Sequence, residues 1–260
     1  MKYLSTRGNA PTATFEDVLL AGLAGDGGLY MPHAWPALSS DEIAAFHVQP
    51  YAHVAAAIME RFAGDAFSKG RLLEIAKEIY GEFDHPDVAP LTKVGDEDWI
   101  LELFHGPTLA FKDFAMQFLG RLFDDVLTRR GERLTIIAAT SGDTGAAAIE
   151  ALKTCENVDV VVLHPEGRVS EVQRRIMTCV PDRNVCNIAV EGSFDDCQSI
   201  VKALFADKAF ANQVRLSGVN SINWARLAAQ IVYYFTSAAA IGEGGHVNFV
   251  VPTGNFGDVF

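Results

Sequence analysis

The run Leu134-Thr-Ile-Ile-Ala-Ala-Thr-Ser-Gly-Asp-Thr-Gly145 joins a nearly continuous apolar strand to a loop of small residues, and helix formers follow from Ala146. A strand apolar on both faces that runs straight into a helix is the building unit of a parallel sheet covered on both sides. The alternation continues downstream. Val158–Leu163, Val185–Val190 and Val247–Val251 are further apolar runs rich in β-branched residues, and helix-length segments begin near Thr144, Ser170, Ser193 and Ser221. The pattern predicts the α/β class, with four parallel strands and helices on both faces.

Upstream, residues 14–80 read as mostly helical, because Phe15–Leu20, Tyr51–Phe62 and Arg71–Tyr80 each carry the 3.6-residue period. Gly81–Pro90 contains His85-Pro86 and Ala89-Pro90 and reads as a linker, and Trp99–Phe104 reads as a strand after the Gly95-Asp96 turn. The expected division is a helical N-terminal domain over 1–85 and an α/β domain over 86–260. The sequence given ends at Phe260, just after a glycine-rich loop where a helix should begin, so the α/β domain is expected to be incomplete, with part of any site beyond it.

Composition removes several classes of function. With 21 Lys+Arg against 33 Asp+Glu the net charge is −12, which disfavours non-specific nucleic-acid binding. No apolar stretch approaches the ~20 residues of a membrane helix, and Met1–Asn9 has no apolar run of the secretory kind. A cytoplasmic protein without membrane or nucleic-acid partners is expected. Cys155, Cys179, Cys186 and Cys197 lie 24, 7 and 11 residues apart, with no Cys-x-x-Cys and no histidine at ligand spacing, so no metal site is expected.

Three segments could carry chemistry. In Phe104-His-Gly-Pro-Thr-Leu-Ala-Phe-Lys-Asp-Phe, Thr108 is a candidate N-cap, and Asp113, Gln117, Arg121 and Asp124 form a stripe expected to face solvent. Lys112 lies off that stripe, toward Leu109, Ala115, Met116 and Leu119. Burial and the positive end of the helix dipole both penalise its ammonium, and a lysine so depressed is a nucleophile able to form a Schiff base with an aldehyde. Read alone, the segment equally suits a lysine that snorkels to water along Phe111. Thr140-Ser-Gly-Asp-Thr-Gly145 opens a helix at a strand's C-terminal end, where exposed N–H groups suit an anion or merely form a tight turn. Thr253-Gly-Asn-Phe-Gly257 repeats the pattern Ser141-Gly-Asp-Thr-Gly145, and two such loops beside a buried lysine describe two anion pockets. Neither loop has the dinucleotide or nucleotide-triphosphate fingerprint. Finally, Asn223, Arg226 and Gln230 share one stripe of a helix that Ser221 should cap; it is either a solvated face or an anion-holding one.

Taken together, Ser5-Thr-Arg-Gly8, Asp26-Gly-Gly-Leu-Tyr30, Glu102–Asp113, Ala139–Gly145, Asn220–Arg226 and Pro252–Asp258 resemble the threonine synthase family of fold-type II pyridoxal-phosphate enzymes. The resemblance spans nearly the whole chain. It implies that Lys112 holds pyridoxal 5'-phosphate as a Schiff base and then moves substrate protons, and that Gly254, Asn255, Phe256 and Gly257 cradle the cofactor phosphate. Ser141, Gly142 and Thr144 would take the substrate carboxylate. Asp143 would lie near the cofactor's 3-oxygen, where relatives in the wider fold class have Asn; this departure points to the threonine synthase subgroup. The implied reaction converts O-phosphohomoserine and water to L-threonine and phosphate, with Thr108, Asn223 and Arg226 as candidates for the substrate phosphate, in a monomer or homodimer. Competing readings are a serine or threonine β-eliminase of the same fold type, a non-catalytic relative, and a nucleotide-binding module.

Overall fold

The computed structural model describes residues 1–242, 246–253 and 259. The N-terminal third contains β1 (Tyr3–Ser5), α1 (Phe15–Ala21), β2 (Tyr30–Pro32), α2 (Ser40–Ala45), α3 (Tyr51–Ala63) and α4 (Lys69–Tyr80). A hairpin, β3 (Leu91–Lys93) and β4 (Trp99–Leu101), leads to α5 (Lys112–Arg130). Then follow β5 (Leu134–Ala139), α6 (Asp143–Leu152), β6 (Val158–Pro165), α7 (Glu171–Thr178), β7 (Val185–Val190), α8 (Phe194–Ala206), α9 (Lys208–Gln213), β8 (Leu216–Ser217) and α10 (Trp224–Ile241). Side chains of Thr14, Ser39, Ser68, Ser170 and Ser193 each accept a backbone N–H of the following first turn, which fixes where those helices start.

β7, β6, β5 and β8 form the central sheet in that order, every pair parallel. The two-residue period divides its side chains between two cores. Ile136, Val160 and Val162 join Leu119, Phe123, Ala147 and Ala228 of α5, α6 and α10, whereas Ile137, Ala139 and Leu163 meet Cys197, Val201 and Phe205 of α8. Helices therefore cover both faces, as expected.

The helices before residue 85 share the larger core. Tyr80 donates its hydroxyl to Phe114 O at 2.9 Å, Tyr51 packs edge-on against Phe114, and Phe62 against Trp224. Packed against α1, α4, α6 and α10, α5 has little face left for water. That overturns the expected solvent stripe: Asp113 is fully enclosed, and Gln117, Arg121 and Asp124 are half-buried. Three local expectations also change. Val247–Val251 forms no strand, since β8 takes the free edge of β5 and Val250 is left 97% exposed. Asn223 rather than Ser221 caps α10, and α5 begins after Phe111 without a side-chain cap from Thr108. Among the described residues no helix is long and apolar enough to cross a membrane.

Candidate active site

The site assembles at the C-terminal end of β5, where the first turns of α5 and α6 meet. Lys112 opens α5 and is 7% exposed, with Nζ 4.4 Å from the Phe111 ring centre. Its surroundings are not purely apolar: Nζ donates to Asp143 Oδ2 at 2.5 Å. Asp143 opens α6, where the positive end of the helix suits a carboxylate. Burial pushes its carboxyl up, but the Lys112 hydrogen bond and charge, with the Thr144 N–H on Oδ1 at 2.7 Å, outweigh burial and hold it below the ordinary range. The ion pair thus takes the place of the lone ammonium that the sequence suggested.

The loop between β5 and α6 is built around Thr140. Its Oγ1 accepts the N–H groups of both Gly142 and Gly145 at 2.9 Å, a double contact that sets the entry to α6. Gly145 is required because a Cβ there would lie 2.6 Å from Thr140 Cγ2 and 2.7 Å from Met177 Sδ. Of the loop's donors, the Gly142 and Thr144 N–H groups are therefore spent internally. The Ser141 N–H and hydroxyl and the Asp143 N–H carry no hydrogen bond among the described residues. An anion on this loop would meet Ser141 and the end of α6 rather than Gly142 and Thr144 through their amides.

Before α5, the chain folds onto Asp113. The Thr108 N–H reaches Asp113 Oδ2 at 2.8 Å and the Thr108 hydroxyl reaches Oδ1 at 2.6 Å. Burial is the larger influence on Asp113 and raises its carboxyl, opposed by these donors. Gly106 must lack a side chain, since a Cβ there would lie 2.5 Å from that of Asp113, and Leu109 takes φ 60° to complete the turn. Thr108 thus spends both its protons within the loop.

Behind Asp143 stands Arg226, fully enclosed at 1% exposure. Nη1 donates to Val219 O at 2.9 Å, and Nε has no hydrogen-bond partner among the described residues. Burial pushes this guanidinium down to about 10, against the opposing charge of Asp143. Asn223 is committed to the fold: Nδ2 donates to Leu19 O at 3.0 Å and Gly218 O at 3.3 Å, and Oδ1 accepts the Ala225 N–H. It ties α1 to the start of α10 and so holds Arg226 in place. Gly254, Asn255, Phe256 and Gly257 lie outside the described residues. Lys112 and Asp143 are thus brought into contact, with Ser141 two residues before Asp143 and Arg226 within reach of the Asp143 charge, whereas Thr108 and Asn223 are engaged within the fold. The organising role of Thr140 escaped the sequence reading, although a threonine two residues before a loop glycine is a recognisable turn-forming signal, and Asp113, expected to face solvent, lies buried under the Thr108 loop.

The family model for pyridoxal-phosphate dependent enzymes matches residues 88–260, and that for the threonine synthase N terminus matches residues 2–80. The threonine synthase of Pseudomonas aeruginosa is 56% identical over 261 residues, covering 100% of this chain and 56% of that protein. That of Schizosaccharomyces pombe is 44% identical, covering 100% and 53%. The chain thus spans about half the length of these curated relatives. Among solved structures, the PLP-bound threonine synthase from Brucella melitensis superposes with TM-score 0.93 at 52% identity, covering 99% of this chain and 56% of that one. The yeast threonine synthase does so with TM-score 0.90 at 42% identity, covering 99% and 54%.

Proposed function

We propose, for a chain that belongs to the pyridoxal-phosphate-dependent enzyme family, the activity of a threonine synthase: O-phosphohomoserine and water to L-threonine and phosphate. Pyridoxal phosphate is the family's cofactor. The observation that carries the reading is the buried Lys112 amine, held on Asp143 at the end of α6, with a second buried cation behind it at Arg226.

These residues fit the cofactor. An aldehyde needs one primary amine in an enclosed place, and Lys112 Nζ is such an amine. Its ring oxygen needs a polar neighbour, and Asp143 is already within hydrogen-bond reach of the amine the aldehyde would meet. The loop expected to hold the cofactor phosphate, Gly254–Gly257, is assigned on the family resemblance.

When bound, pyridoxal phosphate supplies an electron sink that makes the substrate's Cα and Cβ hydrogens removable. Taking and returning those protons is assigned to Lys112 Nζ, with Asp143, its hydrogen-bond partner, orienting the amine. Ser141 and the Asp143 N–H are assigned to the substrate carboxylate, on the positive end of α6. Arg226 is assigned to the phosphate that leaves from Cγ. A guanidinium stays charged throughout turnover and can grip a dianion through two N–H groups, and its Nε is free of other partners among the described residues. A serine or threonine β-eliminase would have no phosphate for that cation to meet.

The test is twofold. Borohydride reduction of the cofactor-loaded protein should add one pyridoxyl mass to the wild type and none to Lys112→Ala. The loaded wild type should release phosphate from O-phosphohomoserine and form L-threonine in equal amounts. Trapping without threonine formation would sink the activity while leaving the cofactor site.

A further inference from the structure

A cleft of about 570 Å³ opens at the N-terminal end of the sheet, where Leu134 begins β5 and Leu216 begins β8. The Lys112–Asp143 pair lies past the other end of β5, so the cleft is no part of the site described above. Its volume falls within the range of small-molecule pockets. Leu20, Leu23 and Phe205 give it an apolar wall, and each is only half-buried, so part of every side chain stays open to an occupant.

Four cations line the same cleft, Arg130, Arg133, Lys208 and Arg215, against the two carboxylates of Asp17 and Glu132, in a chain whose net charge is −12. Two of the cations are committed: Arg130 to Glu16 and Asp17, and Arg133 to Asp159 and Glu156 O. The other two are not. Arg215 meets Glu132 only at 3.5 Å, beyond the range of a good hydrogen bond, and the Lys208 ammonium has neither hydrogen bond nor ion pair among the described residues. Arg215 is moreover held at φ 48° by its N–H on Asn212 O and by the Thr135 N–H on its own carbonyl, both at 3.3 Å. A non-glycine residue adopts that conformation at a cost, and this guanidinium, 57% exposed, gains neither burial nor a close partner in return.

Spare cationic donors beside an apolar wall suit one ligand chemistry. A bare inorganic anion would leave Leu20, Leu23 and Phe205 in water, and an uncharged apolar molecule would leave Lys208 and Arg215 unmet. An anion that carries an apolar body satisfies both. We propose that this cleft is a binding site for a small carboxylate with an apolar or aromatic body, recognised by Lys208 and Arg215.

The test titrates the whole, cofactor-loaded protein with 1-naphthoate, and with 1-naphthylmethanol as a probe of the same body without the charge. Calorimetry should find one 1-naphthoate per chain and at least tenfold weaker binding of the alcohol, the loss expected for a hydrogen bond to a charged group. Lys208→Met, at an exposed side chain that the fold does not use, should weaken 1-naphthoate about tenfold and leave the alcohol unchanged, and Arg215→Met should do the same. Ala211→Phe, which fills the cleft from α9, should abolish binding of both probes.

Equal affinity for the two probes would reduce the cleft to an apolar surface and overturn the inference. So would 1-naphthoate binding that survives Ala211→Phe or Lys208→Met unweakened, since the ligand would then sit elsewhere, and so would the absence of binding at millimolar probe. Every readout is an affinity, so failure of the proposed activity would leave this result standing.

Discussion

Lys112 Nζ and Asp143 Oδ2 lie 2.5 Å apart, so that the first residue of α5 and the first residue of α6 are joined across the mouth of the site. The positive end of α6 stabilises the Asp143 carboxylate, and the pair depends on Asp143 remaining ionised.

A pH dependence follows, with its sign fixed by the direction of the shift. Asp143 is held below the usual carboxylate range, so it contributes stability that is fully present above about pH 5 and is lost as pH falls through and below about 4. Asp143→Asn removes the pair, and we expect the stability difference from wild type to be constant from pH 5 to 8 and to shrink toward pH 3. Urea unfolding at a series of pH values measures it, and a difference that grows on acidification would contradict the pairing.

Arg226 should separate stability from activity. It is enclosed, with Nη1 on one carbonyl and burial lowering it to about 10, so its charge is a cost to the fold at neutral pH. Arg226→Met should leave stability unchanged or raise it by about 1–2 kcal/mol, as found for apolar replacements of buried ions. The gain should fade above pH 10, where the wild-type guanidinium no longer bears the full charge. Meanwhile kcat/KM for O-phosphohomoserine should fall by roughly 100-fold or more, the effect of removing a charged partner from a buried anion. A variant that loses stability and activity in proportion would make Arg226 structural only.

These residues show how far the sequence could be read. The sheet was legible because β5, β6 and β7 are mostly apolar runs rich in β-branched residues, a pattern that depends on no distant partner. Lys112 and the loop after β5 were legible for the same reason, since strand, small residues and helix are contiguous. The errors concern what packs from far away. Asp113 looked like a solvent residue because helical period cannot reveal which parts of a polar stripe other segments cover. Asn223 looked like a ligand-binding residue because its partner, Leu19 O, is 204 residues away. Val247–Val251 looked like a strand because an apolar run shows its propensity but not whether a neighbour offers a hydrogen-bonding edge.

The Thr108–Asp113 contact should behave as a latch on the loop that precedes Lys112. Thr108→Val keeps the shape and deletes the hydroxyl that donates to Asp113 Oδ1 at 2.6 Å. The loss of a buried hydrogen bond to a charged group costs about 1.5–3 kcal/mol, and that loss should appear in urea unfolding. Thr108→Ser, which keeps the donor, should recover most of it. If Val and Ser variants were equally destabilised, the methyl packing rather than the latch would explain the site.

Gly145 and Gly131 offer the sharpest contrast between crowding and backbone strain. A Cβ at Gly145 would meet Thr140 Cγ2 at 2.6 Å, Met177 Sδ at 2.7 Å and Val162 Cγ1 at 3.0 Å, three side chains from three separate elements. None can retreat without moving β6, α7 or the hydroxyl that sets the entry to α6, so Gly145→Ala should cost about 1–3 kcal/mol and displace the Lys112–Asp143 pair. Gly131, by contrast, ends α5 in the left-handed region at φ 62°, and a Cβ there would meet nothing within 4 Å. Gly131→Ala should therefore cost only the conformational penalty of about 1 kcal/mol and leave cofactor trapping on Lys112 intact. Measuring unfolding and borohydride trapping on both variants separates the cases. Equal trapping in both would mean that α6 can shift without disturbing Asp143, and that the tight packing at Gly145 serves the fold alone.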